Sequence, residues 1–178
     1  PMSRPDVEDI YPLTPLQQGM LFHTVYAPGS GAYVEQVGFT VLDAAFDPSA
    51  FERAWQRVAE RHAVLRTAFV WEEMEEPVQV VHRRASIPIE RLDWSAMAPR
   101  EREARLEAFL EEARRRGFDL LAAPLTRLAL IRMGAGEWRV QWSFHHLLLD
   151  GWSLPRVLDE VLAFHADAQI GHVIARRY

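Results

Sequence analysis

The sequence predicts an α/β fold in which a mixed sheet is flanked by helices. Two observations carry this expectation. Segments with helical apolar spacing and segments with strand alternation are interleaved without strictly alternating, which disfavours a doubly wound parallel sheet. No internal repeat or low-complexity linker divides the 178 residues, so a single folded unit with a sizeable core is expected.

The elements follow in order. Thr14-Pro15 reads as N-cap and first helical position, with Leu16, Met20 and Phe22 or His23 near helical spacing. The loop signal Ala27-Pro28-Gly29-Ser30-Gly31 ends that helix. From Tyr33 to Leu42 the pattern alternates, placing Tyr33, Val37, Phe39 and Val41 on one face of a strand. Asp47-Pro48 opens a helix whose Phe51, Ala54, Trp55 and Val58 form one apolar stripe. Thr67 to Trp71 and Val78 to His82 read as a hairpin, and the acidic run Glu72, Glu73, Glu75 and Glu76 as its solvated tip. A helix over about Pro99 to Arg116 has the stripe Leu106, Phe109, Leu110 and Ala113, with Gly117 just past its end. Arg114, Arg115 and Arg116 suit the last turn of that helix through its dipole better than they suit a phosphate cradle. Two strands, Leu125 to Met133 and Glu137 to about Leu147, are joined by Gly134-Ala135-Gly136, and a last helix begins near Ser153.

Composition excludes several classes. Twenty-five acidic against twenty basic residues give a net charge of −5, which argues against nucleic-acid binding. No apolar run reaches the roughly 20 residues of a membrane span, and no apolar segment follows the N-terminus as a secretion signal would. The absence of cysteine removes disulfides, thiolate metal sites and cysteine nucleophiles, and suits a cytoplasmic location. Neither glycine-rich phosphate-loop spacing occurs. Pro1 ahead of Met2 reads as a residue left by cutting, which would make the ends a matter of deliberate truncation.

The stretch from Ser143 to Ser153 lies where a hydrophobic strand gives way to a helix. Alternation puts Val140, Trp142, Phe144 and His146 on one face and Arg139, Gln141, Ser143 and His145 on the other, so the two histidines cannot readily chelate one metal. On periodicity His146 reads as a core histidine; a neutral, desolvated general base is the competing reading. Asp150 either orients His146 or is a buried carboxylate paired with an arginine, and the three preceding leucines favour burial. Gly151 suggests a backbone conformation or close approach that a Cβ would forbid, and Ser153 a helix cap. No strained elbow surrounds Ser153, so a serine nucleophile is not expected.

His145-His146-Leu147-Leu148-Leu149-Asp150-Gly151 resembles the HHxxxDG signature of the condensation domains of nonribosomal peptide synthetases, in the chloramphenicol-acetyltransferase-like superfamily. Tyr11 to His23 resembles the opening motif of that family. Arg61-His62-Ala63-Val64-Leu65-Arg66-Thr67-Ala68-Phe69 resembles its second motif, RHxxLRTxF. The resemblance implies one lobe of a two-lobed fold over residues 9–167, with 1–8 and 168–178 as flanking segments. It implies peptide-bond formation between a donor acyl thioester and an acceptor aminoacyl thioester, as in antibiotic or siderophore biosynthesis. It implies a catalytic signature of His145, His146, Asp150 and Gly151, with His146 as general base or amine-positioning group and Asp150 paired with Arg66. The implied partners are donor and acceptor peptidyl carrier proteins and the C-terminal lobe of the same domain. No resident cofactor is implied, since the phosphopantetheine arms belong to the carrier proteins.

Rival readings remain. Epimerization domains share the signature, whereas heterocyclization domains replace both histidines. The H-x4-D spacing of glycerolipid acyltransferases is met by His145 and Asp150, but no membrane-associating segment accompanies it. A lobe without its partner could also be a non-catalytic folding or carrier-docking unit, inactive alone.

Overall fold

A computed structural model describes residues 6–166 and the backbone of residues 172–177. The order is β1 (Val7–Pro12), α1 (Pro15–Tyr26), β2 (Val34–Leu42), α2 (Pro48–Arg61), a 3-10 turn (Ala63–Arg66), β3 (Thr67–Val70) and β4 (Val78–His82). Then come β5 (Ile89–Asp93), α3 (Pro99–Arg116), β6 (Thr126–Gly134), β7 (Glu137–His145), α4 (Ser153–Ala166) and β8 (His172–Arg177). The larger sheet has the order β5-β6-β7-β2-β8, with β5 parallel to β6 and the other neighbours antiparallel. A smaller antiparallel sheet has the order β1-β4-β3. This is the mixed α/β arrangement that the interleaved pattern predicts.

Helix starts are set by the residues that satisfy the first free backbone N–H groups. Thr14 accepts from the Gln17 amide at 3.3 Å while the Gln17 side chain accepts from the Thr14 amide at 2.9 Å, a reciprocal box with Pro15 in the first turn. Asp47 accepts from Ser49 N–H at 2.8 Å and starts α2. The α2 stripe of Phe51, Ala54, Trp55 and Val58 is fully buried, as its spacing requires. At the other end of α3, Gly117 takes φ +59°, and Arg127 donates to the carbonyls of Gly117 (2.6 Å) and Ala113.

Strand β7 is buried on both faces. Val140, Trp142 and Phe144 point into the main core with α2 and α4, where the Trp55 and Trp142 rings meet edge to face at 4.9 Å. The other face carries buried Gln141 and Ser143 beside Gln36 of β2. Gln36 donates to the Leu110 carbonyl at 2.9 Å and accepts from Arg114 at 3.1 Å, so α3 covers this side through polar contacts. Of its apolar stripe, Ala113 is buried and Leu106, Phe109 and Leu110 are half-buried, with Leu106 and Phe109 packed on a small second core of Trp94, Ala129 and Ile131. Gly38 makes room here, because a Cβ would lie 2.5 Å from the side chains of Arg139 and Gln141.

Three elements are not expected from the sequence. Strands β1 and β5 are short and largely exposed, so they lack an apolar alternation. Strand β8 lies in the segment expected to flank the lobe, and pairs with β2 from Val37↔Arg177 to Leu42↔His172.

Strand β1 also corrects an expected ion pair. The Arg66 guanidinium is buried and does not meet Asp150. It donates to the Ala59 carbonyl at 3.0 Å, to Glu8 Oε2 at 2.5 Å and to the His82 carbonyl. Pairing of β1 along β4 brings Glu8 to the Arg66 guanidinium, and Arg66 ties β1, β4 and α2 together. Arg66→Ala is expected to cost about 2–3 kcal/mol in urea unfolding, less than a fully enclosed pair would, because Glu8 is half exposed. In a double-mutant cycle Arg66 should couple to Glu8, while its coupling to Asp150 stays within about 0.5 kcal/mol of zero.

Candidate active site

The site forms where β7 stops. His145 closes the β2–β7 ladder opposite Val34 and donates its N–H to the Leu125 carbonyl at 3.0 Å. The chain then turns, with Leu148 N–H bonded to the His145 carbonyl at 3.0 Å and His146 N–H to the Tyr33 carbonyl at 2.7 Å. Leu147, Leu148 and Leu149 drop into the main core.

The buried histidine is His145, at 1% exposure, and not His146 as periodicity suggests. His146 lies one residue beyond the last ladder pair, so strand alternation no longer governs it, and it is half-buried. The His145 ring is bonded at both nitrogens. Nδ1 accepts from Leu147 N–H at 3.2 Å, and Nε2 lies 3.3 Å from Thr24 Oγ1. Thr24 spends its own hydrogen on the Met20 carbonyl at 2.8 Å, so its oxygen is left to accept from Nε2–H. Both contacts require the same neutral tautomer. Burial, reinforced by neighbouring His146, pushes His145 down to about 4. The imidazole of His146, by contrast, has no hydrogen bond to a described residue.

Two further members of the signature differ from expectation. Asp150 is exposed, not buried: the leucines before it satisfy the core, and the chain has already returned to the surface. Its carboxylate accepts from Ser153 N–H at 2.9 Å and from the Ser153 hydroxyl at 2.7 Å, and these bonds hold it below the usual carboxylate range. Ser153 is thus the first residue of α4, and Asp150 does the capping. At Gly151 a Cβ would meet nothing within 4 Å and φ is not positive, so no close approach or left-handed backbone explains it in this lobe. Trp152 beside it is 88% exposed.

A cleft of about 400 Å³ opens beside His145. Thr24, the loop from Ala27 to Ala32, Trp71 and the segment from Arg115 to Leu121 line it. The far side of α1 presents Leu16, Phe22 and Tyr26 to solvent. Sequence reading missed Thr24. Its signal was present, since Gln17, Met20, Leu21 and Thr24 share one helical face at i, i+3, i+4 and i+7, and two of the four are polar.

The mixed α/β fold and the place of the His-His-x3-Asp-Gly turn at a strand end agree with the resemblance drawn from the sequence. The condensation-domain family model matches residues 7–175, and the chain belongs to that family. It is 48% identical over 165 residues to a linear gramicidin synthase of Brevibacillus parabrevis, covering 93% of this chain and 3% of that protein. Against tyrocidine synthase 2 of the same species the identity is 36% over 167 residues, covering 94% of this chain and 5% of that one. The fold matches the crystal structure of the starter condensation domain of rhizomide synthetase RzmA at a TM-score of 0.80 and 19% identity, covering 93% of this chain and 41% of that chain. The chain therefore spans a small part of these synthetases and under half of the solved domain.

Because the folded value for His145 lies below the ordinary 6.5, stability from burying it neutral is fully present above 6.5 and is lost as pH falls toward 4. At about 1.4 kcal/mol per unit this amounts to roughly 3 kcal/mol, read as a fall in urea-unfolding free energy between pH 7.5 and 4 that is shallower in His145→Asn. The Asp150 contribution persists through that window and is lost only as pH falls below the ordinary 3.8. Gly151→Ala should leave the thermal midpoint unchanged, whereas Asp150→Ala should lower it by uncapping α4.

Proposed function

We propose that this lobe carries the catalytic histidine of peptide-bond formation between two carrier-protein-bound thioesters, and that His146 is that histidine. The observation that carries the reading is the contrast within the pair. His145 is buried, bonded at both ring nitrogens and held neutral, whereas His146 is half-buried with an imidazole unbound to any described residue. One histidine is engaged in structure, and the other is left for a substrate.

In the reaction, the amine of the acceptor aminoacyl group attacks the carbonyl carbon of the donor thioester. A C–N bond forms, the C–S bond breaks, and the proton released by the amine ends on the departing thiolate. His146 accepts or orients that proton on the amine. The phosphopantetheine arms that present both thioesters belong to the donor and acceptor carrier proteins. Holding two tethered reactants together supplies up to roughly 7–11 kcal/mol, and a positioned base typically adds 10²–10⁴ in rate.

The lobe needs a second wall. The match covers 41% of the solved domain, and Trp152, next to the signature, is 88% exposed. This supports a site completed by the C-terminal lobe and an isolated chain that is inactive alone. The test is incubation with donor- and acceptor-loaded carrier proteins, with and without a separately made C-terminal lobe, followed by mass spectrometry. Dipeptidyl product is expected only with both lobes present. His146→Ala in the paired lobes should lower its rate by about 10²-fold or more. Undiminished rate in that variant would remove His146 from the chemistry.

A further inference from the structure

The turn that carries His146 is held on both sides by one helix. On its N-terminal side, the His145 ring meets Thr24 of α1 at 3.3 Å. On its C-terminal side, Gln17 of α1 donates to the Leu147 carbonyl at 3.2 Å. The two α1 residues are seven apart, so they project from the same helical face two turns apart. Between these anchors, His146 hydrogen-bonds to the described residues through its backbone, by the 2.7 Å bond to Tyr33, and not through its ring.

We infer that Thr24 and Gln17 are positioning residues for His146: α1 grips residues 145 and 147 and thereby sets the direction in which the intervening imidazole is presented. The chain of bonds has one polarity. The Met20 carbonyl takes the Thr24 hydroxyl hydrogen, Thr24 oxygen takes His145 Nε2–H, and His145 Nδ1 takes Leu147 N–H. Rotating the His145 ring, or adding a second proton to it, sets two donors against each other and releases Leu147. The Gln17 oxygen accepts from Thr14 N–H at 2.9 Å, and its amide nitrogen donates both to the Leu147 carbonyl and, at 3.3 Å, to Gln79 Oε1. A buried histidine bonded at both nitrogens could serve packing alone. The second, independent grip on Leu147 holds the residue on the other side of His146, so both flanks of that imidazole are tied to one helix.

The assignment rests on His146 being the reacting histidine, and the test separates the two claims. Three variants are compared. Thr24→Val keeps the shape and removes the hydroxyl. Thr24→Ser retains the hydroxyl. Gln17→Glu keeps a side-chain oxygen acceptor to close the helix cap and removes the donor to Leu147. In the 178-residue chain, ¹⁵N imidazole NMR should show His145 as the Nε2–H tautomer. Thr24→Val and Gln17→Glu should each shift or broaden the His146 ring signals, while the indole signals of Trp55 and Trp142 stay in place. Thr24→Ser should restore the parent spectrum. In the complete condensation domain, Thr24→Val and Gln17→Glu should each lower kcat about ten- to a hundredfold at unchanged KM for both carrier proteins, with recovery in Thr24→Ser. An Nδ1–H tautomer, or His146 signals indifferent to both substitutions, overturns the inference whatever the catalytic result. A kcat that survives both substitutions while His146→Ala abolishes turnover overturns it and leaves the function standing. If Thr24→Val does not fold, Gln17→Glu carries the same two readouts alone.

Discussion

A strand covered on both faces cannot end casually, and this constraint organises the lobe. Strand β7 has aromatic side chains packed against α2 and α4 on one side and a buried polar row under α3 on the other. Where its ladder stops, the backbone still has donors and acceptors far from water, each of which costs free energy if left alone. His145 meets that need by joining the end of β7 to the turn through its ring and its backbone, and to α1 through Thr24. A neutral imidazole suits the task because it offers one donor and one acceptor in fixed directions. The same burial that keeps it neutral makes it unfit to exchange protons near pH 7.

The smaller sheet is attached by a different device. Arg66 reaches back to the end of α2 and across to β4 and β1, replacing the several hydrogen bonds that these segment ends would otherwise lack. A buried arginine is tolerable here because its guanidinium donates to two carbonyls as well as to a carboxylate. This organisation is independent of the signature turn, where Asp150 caps α4 at the surface. The two charged residues that the family resemblance joins thus serve separate ends of the lobe, one buried and one solvated.

Much of the fold was legible because its signals are local. The Thr14-Pro15 and Asp47-Pro48 starts, the Gly117 stop and the α2 stripe all act over three or four residues, and each appears where its chemistry requires. The hairpin with its acidic tip was legible for the same reason. Strand β1 was not, because VEDIYP is largely exposed and charged and becomes a strand by pairing with β4, about 70 residues away. The Arg66 partner was hidden with it. His146 was misplaced because alternation holds only while the ladder lasts, and the ladder ends at His145. Asp150 was misplaced because three leucines mark the burial of their own segment and say nothing of the next residue.

By itself, the sequence determined the class of fold and the helix boundaries and singled out the stretch from Ser143 to Ser153, since periodicity, capping residues and a short motif are all read along the chain. Only the tertiary structure decided which histidine is buried and which is left open. That choice depends on Thr24 and Gln17, more than 120 residues earlier, meeting the end of β7. Hydrogen-bond partners at that separation are selected by packing, and packing is not written in local pattern.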